Sequence, residues 1–359
     1  MIEELVVKNF RKFKEKNFKF NTNITVFYGH NAQGKSSVLE ALYIISNGKS
    51  PWASTDEFVN TEQTEIGSHT RIEIVKDEKS YVYFKDIGKK IFKVDGKSVR
   101  SKSFFQDRCA TIFNPEKIEL LMISSSQRRD FLDDTIQKYN YEYEYDLKNF
   151  KKVLRQRNAY LKRLAKLFYE KGVLAINDPQ LNFWSNQIVL HSIPILQNRI
   201  QLARELSKDG YEIKYNTGFL FDRRKLNNKE YLNEILLQDL ENSKRKDIAT
   251  GYTNIGPHRD DWEISLGMDI RKFGSRGEKR LAIGKLIFHT QEIVNNKTGF
   301  YPILLLDDIA SELDISNTKR IFEKKFLDRQ QTFITVIDYK TLPKSILKDA
   351  QLIHLNGEI

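Results

Sequence analysis

The chain of 359 residues has one cysteine, Cys109. A lone cysteine excludes an intramolecular disulfide, a zinc site built on paired cysteines and a Cys-x-x-Cys hook. Beside "ATIF" it reads as a small core residue. Long apolar runs are also missing. No stretch approaches the roughly 18 to 20 apolar residues that a membrane-spanning helix needs. The opening "MIEELVVKNF" carries acids and only a short apolar patch, so it reads as a strand and not as a secretory leader. There is no internal repeat. These absences lead to the expectation of a cytoplasmic protein with no membrane partner.

Hydrophobic residues make up 40% of the chain and charged residues 30%, enough apolar material for a sizeable core. Lysine and arginine number 59 against 48 acids, a net charge of +11. Such a surplus favours a polyanionic partner such as nucleic acid, or leaves a uniformly solvated lysine-rich surface.

The first third reads as sheet. "EELVVKNF", "NFKFN" and "ITVFYG" are short apolar or alternating runs, and "RIEIVK", "SYVYFK" and "KIFKVDGKSVR" form a meander with Asp95-Gly96 as a hairpin turn. From Ser124 to Ser207 the pattern becomes helical and holds a single glycine, Gly172. Leu147, Phe150, Leu154, Leu161, Leu164 and Phe168 share one helical seam, which Arg157 interrupts. Ile188, Ile195 and Leu202 recur at heptad spacing in a second segment, where Pro194 should introduce a kink. "EKGVLAINDPQ" reads as the turn between two antiparallel helices. From Ala249 short strands and glycine turns return. "TNIGPHRDDWEISL" reads as strand, turn, strand. The expected organisation is an α/β head made of residues 1–123 and 249–359, interrupted by a helical arm of residues 124–248.

Three motifs carry chemistry. Gly29-His30-Asn31-Ala32-Gln33-Gly34-Lys35-Ser36-Ser37 fits G-x-x-x-x-G-K-[ST] between a strand and a helix. Its glycines let successive N–H groups point at phosphate oxygens, the helix start adds its dipole, Lys35 supplies a cation and Ser36 a hydroxyl ligand for Mg2+. "ILLLDD" is a buried strand with acids at its carboxyl end, where ligands of open α/β sheets bind. Asp307 there suits Mg2+, and Asp308 suits the attacking water. Third, "GSRGEKR" places Ser275 and Gly277 at a helix start shortly before that strand. This is a further anion site or a plain N-cap. The phosphate loop near residue 30 and the acidic strand near residue 305 are separated by a long insertion, the order found in ABC- and SMC-type ATPases.

"GHNAQGKSSVLEALY", "FLDD", "NIGPHRDDWEISL", "FGSRGEKR" and "PILLLDDIASELD", in this order, resemble the RecF family of recombination-mediator ATPases. The resemblance covers nearly the whole chain. It implies an ABC/SMC-type P-loop ATPase domain with an inserted helical arm. It also implies ATP and Mg2+ as ligands, a head-to-head homodimer closed by ATP, and slow hydrolysis used as a switch. DNA, RecO, RecR and, through them, RecA are the implied partners, at single-strand gaps in repair, replication and the SOS response. Carried onto this sequence, Gly29 to Ser37 cradle the phosphates, and Ser275 with Gly277 complete the neighbouring subunit's site. Asp307 and Asp308 serve Mg2+ and water, Ser311 to Asp314 line the dimer seam, and Arg11 in "NFRKF" lies near the nucleotide. His258 and Arg259 lie near the active face or form a structural turn. Glu278 stands where a glutamine is usual, and "FITVIDYK" lacks the histidine that many ABC ATPases carry there. Lys151, Lys152, Arg155, Arg157, Lys162 and Arg163 are candidate DNA contacts on the arm. The rival reading is the ATPase subunit of a membrane transporter, which leaves the helical insertion and the positive charge unexplained.

Overall fold

The computed structural model describes residues 1–52, 69–86, 89–114, 119, 121–308 and 327–356. The chain opens with β1 (Ile2–Phe10) and β2 (Phe13–Lys19), paired antiparallel across a tight turn in which Arg11 adopts φ 52°. β3 (Ile24–Tyr28) leads into α1 (Lys35–Asn47). The meander read from the sequence is present as β4 (Thr70–Lys76), β5 (Lys79–Asp86), β6 (Lys89–Val94) and β7 (Lys97–Val99). Asp95 and Gly96 take φ 48° and 77°, the two positive values that a tight hairpin turn demands. With β1 and β2 these strands form a six-stranded sheet of order β2-β1-β4-β5-β6-β7. α2 (Ser101–Phe104) and β8 (Ala110–Phe113) follow.

Next come α3 (Ser125–Gln137), α4 (Tyr141–Lys171) and α5 (Pro179–Leu206). The expected helical hairpin is there. Gly172 ends α4 at φ 66°, and the Asp178 side chain accepts the Leu181 N–H at the start of α5. α5 continues through Pro194 as one helix. β9 (Glu212–Asn216), α6 (Lys229–Thr250), β10 (Asp261–Leu266), β11 (Met268–Asp269) and α7 (Ile270–Phe273) complete this part. The last third holds α8 (Arg276–Thr298), β12 (Ile303–Leu306), β13 (Thr332–Val336), α9 (Lys344–Leu347) and β14 (Ala350–His354).

Two compact units result, Met1–Glu119 with Arg276–Ile359, and Leu120–Ser275. The insertion is thus longer than the 124–248 expected from composition. Residues 249–275 belong to it because β10 pairs antiparallel with β9, Trp262 opposite Tyr215, which makes them part of the insertion's own three-stranded sheet. Strand propensity near residue 250 signals a sheet but not which sheet. The residues before β10, "TNIGPHR", are turn and not the expected strand.

In the first unit β14-β3-β13-β12-β8 form a parallel sheet. α1 lies in one core cluster with residues of both sheets, among them Leu5, Val7, Ile72 and Ile74 of the antiparallel one and Phe27, Leu305 and Phe333 of the parallel one. This explains why "VLEALYII" is buried throughout and apolar except for Glu40, since a helix covered on both sides has no solvent face. The same burial fixes the start of α1, and hence the loop before it, against the carboxyl ends of β3, β13 and β12.

Candidate functional site

Residues 29–34 turn from β3 into α1. Three of them have positive φ: Gly29 at 142°, Ala32 at 61° and Gly34 at 91°. A Cβ on Gly29 would stand 2.4 Å from the Leu355 carbonyl oxygen, and one on Gly34 2.6 Å from the Phe13 ring. Both glycines are therefore required by close packing as well as by conformation. Gly29 is held in place by its N–H, which donates to the Ile337 carbonyl at 3.1 Å. His30, Asn31 and Ala32 are exposed and Gln33 is half-buried.

Lys35 is buried, and its Nζ donates to the carbonyls of Gly29 and His30, at 2.7 Å each. Burial lowers its pKa, against the opposing pull of Asp308 and Asp307. Its ammonium thus sits inside the loop, bonded to neutral oxygens that an anion can replace. Ser36 Oγ donates to Asp307 Oδ1 at 3.0 Å, and Thr335 Oγ1 donates to the same oxygen at 2.6 Å. The Thr335 hydroxyl in turn accepts the Asp308 N–H at 2.9 Å. Burial raises the Asp307 pKa, and the bonds from Thr335 and Ser36 counteract it. Asp308 has φ 48° where the strand ends. Ser37 follows Ser36 in the first turn of α1 and is half-buried.

The donor set suits a nucleoside triphosphate with a hard divalent cation. The Ser36 hydroxyl and the Asp307 carboxylate are oxygen ligands of the kind Mg2+ takes, with phosphates and water supplying the rest. Thr335 escaped the sequence reading. It is one small polar residue in an apolar strand, and only the parallel register of β13 beside β12 brings it to Asp307.

Arg11 donates from Nε and Nη2 to Glu40 Oε2 and Oε1, both at 2.7 Å. Glu40 lies within the buried face of α1, and the guanidinium neutralises it there. The next residue, Lys12, reaches the loop, donating from Nζ to the Ala32 carbonyl.

Ser275 is exposed and closes the insertion. Gly277 and Glu278 lie in the first turn of α8. An acid in that turn complements the helix dipole, which accounts locally for Glu278. Ser311 to Asp314 lie outside the described residues.

Within the insertion, "FLDD" and "GPHRDD" meet on one side chain. Arg199 donates from Nε and Nη2 to Asp133, at 2.7 and 2.9 Å, and from Nη1 to the Pro257 carbonyl at 2.7 Å. The Tyr215 hydroxyl links this group to Asp260 at 2.9 Å. His258 is part of the same turn. Its Nε2 lies 2.9 Å from the Thr253 carbonyl, and its ring packs against Phe150. Arg259 Nε also donates to the Thr253 carbonyl, at 3.4 Å. The turn is thus knitted into the insertion by its own polar contacts. On α4, Lys151, Lys152, Arg155, Lys162 and Arg163 are exposed. Arg157 is not a surface cation. It is fully buried and donates from Nη1 to Asp247 at 2.8 Å and to Thr253 at 2.7 Å.

Residues 1–352 match the RecF/RecN/SMC N terminal domain family. The DNA replication and repair protein RecF of Clostridium kluyveri is 34% identical over 98% of this chain and 96% of its own length. A solved structure of the recombination mediator protein RecF with a bound ATP analogue, described as part of the RecFOR pathway, superposes with a TM-score of 0.80. It is 29% identical and covers 96% of this chain and 94% of that one. An SMC head bound to the C-terminal winged helix of ScpA shares the fold at a TM-score of 0.50 and 16% identity, covering 98% of this chain and 93% of that one. This chain, an α/β ATPase-type head with a helical insertion, belongs to the RecF family of DNA replication and repair proteins.

Proposed function

We propose that the chain binds ATP through Gly29 to Ser37, with Mg2+ held by Ser36 and Asp307, and uses the nucleotide to switch a DNA-binding dimer. The observation that carries this reading is the convergence of the Lys35 cradle with Asp307, held by Ser36 and Thr335 on one oxygen. It provides a cation for the β- and γ-phosphates and an oriented carboxylate for the metal. Asp308, on the adjoining backbone, is the residue for the attacking water. Its side chain is shorter than the glutamate of fast ABC enzymes, which fits slow turnover.

Ser275 and Gly277 are proposed to meet the γ-phosphate held by a second subunit, and the exposure of Ser275 supports such a role. The dimer then aligns basic residues along the DNA backbone. Backbone contacts of this kind give salt dependence with little sequence preference. The protein is proposed to act with RecO and RecR in the cytoplasm, supporting RecA loading at gaps, and its likeness to a RecF described in the RecFOR pathway supports this reading. No helix among the described residues is long and apolar enough to cross a membrane, and none of the observations favours a transporter subunit.

Sedimentation of the purified protein with and without ATP-Mg2+, and with and without gapped DNA, tests the scheme. ATP should raise the sedimentation coefficient to that of a dimer and allow DNA to co-sediment. Lys35→Ala should do neither. Dimerisation and DNA binding by Lys35→Ala to the wild-type extent would refute the reading.

A further inference from the structure

We infer that Lys12 is a second phosphate-binding cation of the nucleotide site, delivered to the loop by the β1–β2 turn. The inference rests on the nucleotide reading above and adds to it a residue that no motif marks. The turn has two basic residues in succession, and the fold gives them different work. Arg11 is committed to Glu40 by two bonds, and Glu40 also accepts from Ser50 Oγ at 2.5 Å. This pair ties the turn to α1. Lys12 then faces the phosphate loop at a fixed place.

Three observations define that place. The Lys12 ammonium donates to the Ala32 carbonyl, in the middle of the loop. Its Cε lies 2.8 Å from where a Cβ on Gly34 would stand, so the stem packs directly on the last glycine before Lys35. Among the described residues no carboxylate pairs with it. Lys12 and Lys35 therefore put two ammonium groups on one short loop, each bonded to peptide carbonyls. Burial and the neighbouring charge of Lys35 both disfavour the Lys12 ammonium, so its pKa is lowered. A polyanion removes that penalty. It offers each cation a charge-assisted bond, roughly twice as strong as one between neutral groups. The flexible four-carbon stem of lysine lets Nζ leave Ala32 for a phosphate oxygen while the backbone stays pinned by Arg11.

The competing role is that of a brace, with Lys12 only holding the loop through Ala32. Lys12→Gln separates the two, because the amide still donates to the carbonyl but has no charge. Lys12→Arg keeps both the donor and the charge. The measurement is calorimetric titration of the full chain with ATP and, separately, with inorganic tripolyphosphate, which has no base or sugar. Lys12→Gln should weaken both ligands by about tenfold or more, and Lys12→Arg should stay within about threefold of wild type. Wild-type affinity for tripolyphosphate in Lys12→Gln would overturn the inference. Should Lys12→Gln melt below the assay temperature, the wild-type protein provides the test through acetylation by an N-hydroxysuccinimide ester, read by peptide mass spectrometry. Tripolyphosphate should then reduce labelling of Lys12 severalfold, and equal labelling with and without it would overturn the inference. Lys35→Ala is the control. If it loses binding while Lys12→Gln does not, only the role of Lys12 fails. If Lys35→Ala binds both ligands like wild type, the nucleotide reading itself fails.

Discussion

Ser36 and Asp307 are 271 residues apart in the chain, yet Ser36 Oγ lies 3.0 Å from Asp307 Oδ1. What brings them together is strand order. β3 and β12 are not neighbours, and β13 lies between them. The side chain that spans the gap comes from β13, where Thr335 donates to Asp307 and accepts from the Asp308 backbone.

Thr335 should therefore matter as much as a metal ligand's supporting partner. Thr335→Val keeps the shape but leaves the Asp308 N–H and one Asp307 bond unmade. Mg2+-dependent ATP affinity should fall about 10- to 100-fold, the usual effect of losing such a partner. Stability should fall by about 1–3 kcal/mol from the orphaned groups. Thr335→Ser should restore most of both. Nucleotide titration at fixed and varied Mg2+, with melting curves, measures the two effects. An affinity unchanged in Thr335→Val would show that Asp307 needs no such support.

Why Thr335 was hidden while Lys35 and Asp307 were legible is a matter of where the information lies. The glycine-lysine loop and "LLLDD" are written in consecutive residue types, so identity and spacing reveal them. Thr335 acts only through the parallel register of β13 with β12, which local sequence does not encode. The bounds of the insertion were missed for the same reason, since the partner of β10 is β9 and not a strand of the head. Arg157 is the opposite case. Its place on the apolar seam of α4 signalled burial, and its charge suggested the surface. Burial prevails, and the guanidinium is compensated inside by Asp247.

That burial makes a sharp contrast between neighbours. Arg157→Met leaves Asp247 buried, still accepting from Asn254 and Ser243 but without its counter-charge. Breaking such a pair from one side costs about 3–5 kcal/mol. Arg155→Gln, two residues away and exposed, should change stability by no more than about 0.5 kcal/mol. Urea unfolding of the two variants compares them directly. Equal midpoints would mean that the Arg157 pair contributes nothing to the folded insertion.

The turn containing "GPHRDD" should respond to acid through two groups that oppose each other. Burial pushes the His258 imidazole down to about 4 from its ordinary 6.5, with Arg259, Arg129 and Arg157 adding to the effect and the Thr253 carbonyl opposing it. Between these values the unfolded chain binds the proton, so this contribution to stability is lost as pH falls from 6.5 towards 4. Burial raises Asp260 from 3.8 to about 6, against the Tyr215 hydroxyl, Arg199, the Gly218 N–H and Arg129. Here the folded chain binds the proton, so this contribution is present below 3.8 and lost as pH rises through 6. The two slopes offset each other in the wild type. His258→Gln, measured relative to wild type, should lose stability as pH rises from 4 to 6.5. Asp260→Asn should gain over nearly the same range. Melting temperatures across that window test the signs, and parallel profiles for all three proteins would contradict them.

The exposed cations of α4 provide a test of the DNA reading that does not depend on nucleotide chemistry. Lys148, Lys151, Lys152, Arg155, Lys162, Arg163 and Lys166 are all exposed, and no acidic residue lies between Leu147 and Tyr169. A helix rises about 1.5 Å per residue, so this stretch is long enough to follow several phosphates. If Lys151, Lys152, Arg155, Lys162 and Arg163 contact the backbone of duplex DNA, each change to glutamine should reduce the slope of log K against log salt by about 0.9. Affinity should fall alike for all sequences, because phosphate contacts carry none of the base information. Melting temperature and ATP affinity should stay near wild-type values, since these side chains are exposed, with Lys162 also lying over the Tyr252 ring. A fivefold glutamine variant with an unchanged salt slope would remove α4 from the DNA-binding surface and leave the nucleotide site untouched.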